Sequence, residues 1–180
     1  MQSLDTHPNV ILGQAELIHD ELTVSQALAR VANEITLALA DESPVVLCVM
    51  GGGVVFAGQL LPRLTFPLEF DYVQASRYHN RTDGDALQWK VKPSSIVRDR
   101  TVLVLDDILD EGITLAAIKT ECLALGAKQV LVAVLVEKAL NREKPIHADY
   151  IGLEVPNRYV FGCGMDVYGW WRNLPAIYAL

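Results

Sequence analysis

Val102 to Leu115 reads VLVLDDILDEGITL, an apolar run that passes into three aspartates and a glutamate and then into a Gly-Ile-Thr turn. Preceded by Thr101, the run Val102–Leu105 fits a strand buried on both faces, as in a parallel sheet covered by helices. Asp106 and Asp107 then stand at its carboxyl end. Ligands of open α/β sheets bind beyond that end, where a helix amino terminus offers unpaired N–H groups and a positive dipole to an anion. Asp110, Glu111, Gly112, Ile113 and Thr114 form a turn able to wrap such an anion. The aspartate pair suits the vicinal hydroxyls of a ribose or a hydrated Mg²⁺, because carboxylates accept hydrogen bonds and bind hard cations. Two competing readings are a solvated acidic turn in which Asp110 caps the next helix, and a receiver-type phosphoacceptor site. The Gly-x-Thr that follows at once argues against the second.

The bulk properties bound the rest. A chain of 180 residues is expected to form a single domain over 1–180, and 51% hydrophobic residues fit a sheet buried on two sides. Val45 to Gly58 is the longest apolar stretch, but its three-glycine break and its length exclude a bilayer span. MQSLDTHPNV has neither a basic start nor an apolar core, so the expectation is a cytoplasmic protein with no membrane partner. Cys48, Cys122 and Cys163 are far apart and read as buried thiols; the four histidines are equally scattered, which disfavours a His-based metal site. A net charge of −7 disfavours nucleic acid, yet a local nest of N–H groups can still hold a phosphorylated ligand.

Elements alternate in the α/β manner. Thr23 to Gln26 reads as a capping box, with Val24, Leu28, Val31, Ile35 and Leu39 forming one helical face that ends near Asp41. Strands are expected at Val45–Met50, Leu68–Ala75, Thr101–Leu105, Gln129–Val136 and Tyr150–Leu153, with an antiparallel strand at Ala86–Lys92. Helices are expected at Val54–Leu64 and Ile113–Leu125, the latter closed by Gly126.

Met50-Gly51-Gly52-Gly53 ends the first buried strand, and glycines there let backbone approach a diphosphate. Val54 and Val55 follow where a P-loop needs Lys and Ser or Thr, so a nucleoside triphosphatase is not supported. By itself the triple Gly is equally a tight strand-to-helix turn. Further on, Val136-Glu137-Lys138 closes a strand, and VPNRYVFGCGMDVYGWWRN follows.

Asp-Asp, two apolar residues, Asp-x-Gly-x-Thr resembles the phosphoribosyl-diphosphate (PRPP) motif of type I phosphoribosyltransferases. Together with the Gly loop, Lys138 and the Val-Pro-x-x-Tyr-Val…Asp…Trp-Arg tail, it resembles the hypoxanthine-guanine (6-oxopurine) group in order from about Val45 to Arg172. The resemblance implies a mainly parallel twisted sheet flanked by helices, a mobile antiparallel flap over Arg77–Leu87, a small C-terminal hood over the base, and a homodimer or homotetramer. It implies transfer of phosphoribosyl from PRPP to hypoxanthine or guanine with release of pyrophosphate, giving IMP or GMP with Mg²⁺ as cofactor. By it, Gly51, Gly52, Gly53, Arg77, Tyr78, Asp106, Asp107, Glu111, Gly112, Ile113, Thr114 and Arg172 would bind PRPP, and Asp110 would be catalytic. Lys138, Tyr159, Val160 and Asp166 would meet the purine, and Asp106, Asp107 and Asp166 would serve the metal. Chemistry supports part of this independently, since a donor-only lysine accepts a 6-oxo group and opposes a 6-amino group. Departures exist: Gly51 stands where many members carry Lys, Arg77 precedes Tyr78 where Ser is common, and Glu111 and Ile113 replace residues that are commonly Thr and Lys. The alternatives are an enzyme for another base, xanthine or a pyrimidine, and an RNA-binding regulator on the same fold.

Overall fold

The computed structural model describes residues 7–78 and 86–180, the side chains of residues 77, 78 and 86 excepted. In chain order it contains α1 (Pro8–Gln14), β1 (Glu16–His19), α2 (Glu21–Leu39), β2 (Val45–Met50), α3 (Gly53–Leu60), β3 (Glu69–Tyr78) and β4 (Ala86–Val91). There follow β5 (Thr101–Leu109), α4 (Ile113–Ala124), β6 (Gln129–Lys138), β7 (Tyr150–Val155), β8 (Val160–Phe161) and β9 (Ile177–Ala179).

Six strands form one sheet in the order β4-β3-β2-β5-β6-β7. Its pairs are parallel except β3 with β4, which is antiparallel at the edge, so the expected α/β class holds. Alternation along β5 explains the layering: Leu103 and Leu105 enter one core with Leu28, Val31 and Ile35 of α2 and Phe56 and Leu60 of α3. Val102 and Val104 enter the other with Leu115, Ile118 and Cys122 of α4. Both faces of the sheet are therefore covered, which is why its central strands are apolar throughout. Cys48, Cys122 and Cys163 are buried free thiols, as their composition implied. Among the described residues, no helix is long and apolar enough to cross a membrane.

Helix α3 stops at Leu60, short of the expected Leu64, and β3 runs on to Tyr78, past the expected Ala75; three further differences concern the cap of α2, the site and the hood. Helix α2 is capped by Asp20, whose carboxylate accepts from the Thr23 N–H at 2.8 Å, rather than by Thr23, which lies already inside the first turn. Strand β5 does not stop at Leu105: it pairs with β6 as far as Leu109 opposite Glu137, so Asp106 and Asp107 lie within the sheet. The hood is not purely C-terminal, since β9 lies between β8 and β1 and draws Glu16–His19 into a three-stranded antiparallel sheet. Only the middle strand β9 has neighbours on both sides, and one of them, β1, comes from the opposite end of the chain. Phe161, Val167 and Ile11 of α1 pack beneath this sheet, and the Trp171 indole donates to the Pro8 carbonyl at 2.7 Å.

Helix α4 begins after Gly112, which sits at φ 81°, and ends in a Schellman motif in which Ala127 N–H bonds the Cys122 carbonyl and Gly126 N–H the Leu123 carbonyl. Both ends are thus fixed by glycines in the left-handed region, and the amino end is aimed at the turn after β5.

The Asp20 cap gives a pH-dependent expectation. Its bond from the Thr23 side chain, then that from the Thr23 N–H, holds its carboxyl below the usual aspartate range. Its stabilisation is therefore present above the unfolded-state value and lost as pH falls through the folded one. Asp20→Ala should lower Tm at neutral pH, and the gap to wild type should close in acid; a gap that persists to about pH 2 would contradict the cap.

Candidate active site

The carboxyl ends of β2, β5 and β6 lie side by side, and each delivers one part of a site. From β2 comes the turn Gly51–Gly52 into α3, with a cis peptide at Met50–Gly51. A Cβ on Gly52 would lie 1.9 Å from Asp107 Oδ2, so this turn rests directly on the aspartate of the neighbouring strand and only glycine fits. Gly51 faces open space, whereas Gly53 starts the helix over the Leu105 carbonyl.

From β5 come the acids. Asp106 and Asp107 are 9% and 7% exposed, and the Asp107 N–H donates to Asp106 Oδ1 at 2.9 Å. Burial pushes the Asp106 carboxyl well above the usual range, and the neighbouring Asp107 charge pushes it further. Burial also raises Asp107, while its bond with Asp106 and the positive charge of Arg172 pull it part of the way back. Two carboxyls held this way gain from any ligand that brings hydroxyl donors or a cation.

Two adjoining cavities meet at these residues. One, of about 260 Å³, is lined by Gly52, Asp106, Asp107, Glu111, Gly112 and Thr114 among others, and opens on the amino end of α4. The second, of about 230 Å³, is lined by Lys138, Tyr159, Val160, Met165 and Asp166. Asp107, Ile108, Asp110 and Arg172 line both. Lys138, at the end of β6, donates to Asp110 Oδ2 at 2.7 Å; its side chain is 12% exposed and that of Asp110 43%. Opposite them the half-exposed Tyr159 ring lies 6.4 Å from Tyr168, nearly parallel to it at 18°. Val160 opens β8, which holds the ring's base against β9.

Arg172 and Asp166 pair at 2.6 Å, and Arg172 also donates to the Gly164 carbonyl at 2.6 Å. The second Asp166 oxygen accepts from Gly169 N–H at 2.7 Å. Asp166 is therefore engaged in the hood, and among the described residues no group of three or more His, Cys, Asp or Glu could hold a metal by itself. Glu111 pairs with Arg142, and Ile113 begins α4. Arg77 and Tyr78 end β3, their backbones paired with Leu87 and Ala86, while their side chains and residues 79–85 of the expected flap lie outside the described residues.

Lys144 was not anticipated. Its side chain is 7% exposed, and it donates to the Leu109 carbonyl, the Lys138 carbonyl and Glu137 Oε1 at 3.0, 2.7 and 2.9 Å. In the sequence NREKP it reads as a solvated loop lysine; the following Pro145-Ile146, which turn inward against Gly112, were the available signal.

A glycine loop, an acid-bearing strand and a helix amino terminus converging on one cleft, with an aromatic hood across it, match known proteins. The phosphoribosyl transferase domain family matches residues 14–168, and the chain belongs to that family. Among its relatives, the hypoxanthine-guanine-xanthine phosphoribosyltransferase of Tritrichomonas foetus is 30% identical over 162 residues, 89% of this chain and 88% of that protein. The hypoxanthine-guanine phosphoribosyltransferase of Bacillus subtilis (strain 168) is 29% identical, covering 90% of this chain and 91% of the other. The fold superposes on a hypoxanthine phosphoribosyltransferase from Staphylococcus aureus with a TM-score of 0.85 over 99% of this chain and 96% of that one, at 24% identity.

The buried acids make a stability prediction of opposite sign to the Asp20 cap. Because folding raises the Asp106 value, the native state binds more protons than the unfolded chain, and stability falls as pH rises from the unfolded aspartate value through the folded one. Asp106→Asn keeps an oxygen for the Asp107 N–H and removes the charge. Its Tm should exceed that of wild type at about pH 8 and converge on it below about pH 4. A variant less stable than wild type at the higher pH would contradict this account.

Proposed function

We propose that the chain is a purine-salvage enzyme that transfers the 5-phosphoribosyl group of PRPP to N9 of hypoxanthine or guanine, releasing pyrophosphate. The observation that carries this reading is the Lys138–Asp110 pair facing Tyr159 in a cavity that shares Asp107 with the acid-lined one. An ammonium donor beside a carboxylate acceptor is complementary to the O6 and N7–H edge of a 6-oxopurine. Such a base entering between them replaces each partner with an equivalent one, O6 for the carboxylate and N7–H for the ammonium. Adenine presents an amino donor where O6 would be, and leaves a buried lysine unpaired. Tyr159 supplies the stacking face.

In the adjoining cavity, Thr114 and the N–H groups at the start of α4 receive the 5′-phosphate, while Asp106 and Asp107 accept from the ribose hydroxyls. The same paired, buried carboxyls suit a divalent cation, and since they are too few to hold it alone, substrate oxygens would complete its shell. When bound, Mg²⁺ neutralises charge on the leaving diphosphate. Arg172 lines both cavities and adds positive charge on the same side. Asp110 takes the N7 proton as N9 attacks the anomeric carbon. Lys138 and Tyr159 suit xanthine as well, and the name of the Tritrichomonas foetus relative includes that base.

Supplied with PRPP and Mg²⁺, the protein should convert hypoxanthine or guanine at least about 10²-fold more efficiently than adenine, measured as nucleotide formed. Comparable use of adenine would overturn the assignment. Asp110→Asn retains an acceptor for Lys138 but cannot take a proton, so kcat should fall by about 10²–10⁴-fold with little change in KM for PRPP. Near-normal turnover would leave Asp110 as a structural residue only.

A further inference from the structure

Resting on the function proposed above, we propose that Lys144 is a positioning residue for the base: its ammonium sets the separation of Lys138 and Asp110 and so the width of the purine-recognising pair. Leu109, whose carbonyl it binds, immediately precedes Asp110; the Lys138 carbonyl, its second acceptor, belongs to the other member of the pair. One cation thus ties together the backbone at the roots of the two side chains that meet at 2.7 Å. The parallel ladder of β5 and β6 extends only to Leu109 and Glu137, so beyond that point Lys144 takes over the joining of the two strands. Glu137 is the third acceptor and balances the charge, leaving all three N–H groups of a nearly buried ammonium satisfied.

The loop carrying Lys144 is anchored independently. Ile146 and Pro145 pack where a Cβ on Gly112 would meet them at 3.0 and 3.4 Å, beneath the turn that precedes α4. Substituting Lys144 leaves that wedge and the start of α4 in place. The effect should therefore fall on the base rather than on PRPP. A fixed lysine–carboxylate spacing matters because the O6 and N7–H of a rigid ring are a fixed distance apart, and misplacement by about 1 Å costs about 10²-fold in rate.

Lys144→Met preserves length and removes the three donors. Since it strands the Glu137 charge, Glu137→Gln/Lys144→Met is measured beside it and answers the same question if the single variant is too unstable to purify. The expected result for the double variant is a Tm close to wild type, a fall of about 10–100-fold in kcat/KM for hypoxanthine, a KM for PRPP changed by less than about threefold, and a reduced hypoxanthine-to-adenine ratio. Lys144→Arg, which keeps charge and donors, should recover part of the loss. Wild-type hypoxanthine kinetics in the folded double variant would overturn the proposal while leaving the enzyme assignment standing. Equal losses toward PRPP and hypoxanthine, in step with Tm, would also overturn it, by showing a general structural role. A wild-type protein that converts no purine at all would overturn the assignment itself, and the positioning role with it.

Discussion

Two neighbouring carboxylates buried at the working end of the central strand are the constraint on which the rest of this molecule depends. Strand β5 stays paired with β6 through Asp106 and Asp107, so the acids cannot swing out into water as they would from a loop. Burial raises both, and the charge of Asp107 works further against the ionisation of Asp106, while the bond with Asp106 and the charge of Arg172 offset part of the rise in Asp107. The surroundings are arranged to use that unfavourable state: a glycine turn that leaves Asp107 room, a helix amino terminus that faces anions, and an arginine from the hood that offsets part of the negative charge. A sugar diphosphate with a divalent cation supplies the hydroxyls and positive charge these groups lack. On the proposed function, binding would relieve what folding imposed, a physical reason for affinity to reside in the acids.

Beside this centre the base site rests on a chain of ion pairs of graded exposure. Lys144 with Glu137 is nearly buried, Lys138 with Asp110 half so, and Arg142 with Glu111 largely open to solvent. The first joins the strand ends, the second is the pair proposed to read the purine edge, and the third places a cation next to an acidic residue in the turn proposed to hold phosphate. Pairing with Arg142 reduces the repulsion that Glu111 would otherwise exert on an anion there. At Gly51, which faces open space, only backbone is available to a diphosphate.

Much of this was legible in the sequence because it is local. Strand β2 spans Val45–Met50 as its apolar run predicts, and α4 runs from Ile113 to the Gly126 closure, since both obey short-range pattern and capping chemistry. The glycine loop and the acids are legible from the residues themselves, Lys138, Tyr159 and Val160 through the family resemblance, and the fold brings Gly52, the acids and these three residues around two joined cavities. The failures share a different cause. Strand β5 outran its apolar residues because parallel pairing with β6 outweighed the polarity of Asp106 and Asp107. The pairing of β1 with β9 links segments about as far apart as the chain allows, and no local pattern announces strands so short. Lys144 was missed because its acceptors are backbone carbonyls of other strands, which carry no sequence signature. Asp166 and Arg172 were expected at metal and pyrophosphate respectively; the pairing between them is visible only in three dimensions.

The claim that ligand binding relieves the repulsion of the β5 acids is tested most directly by the thermal shift that PRPP with Mg²⁺ produces in wild type and in Asp106→Asn at one ligand concentration. A ligand at about 100 times its dissociation constant stabilises the native state by about 2.7 kcal/mol, a shift easily read in a domain of this size. The account predicts that wild type starts with the lower Tm and gains clearly more from the ligand than the variant does. Equal gains in the two proteins would contradict it.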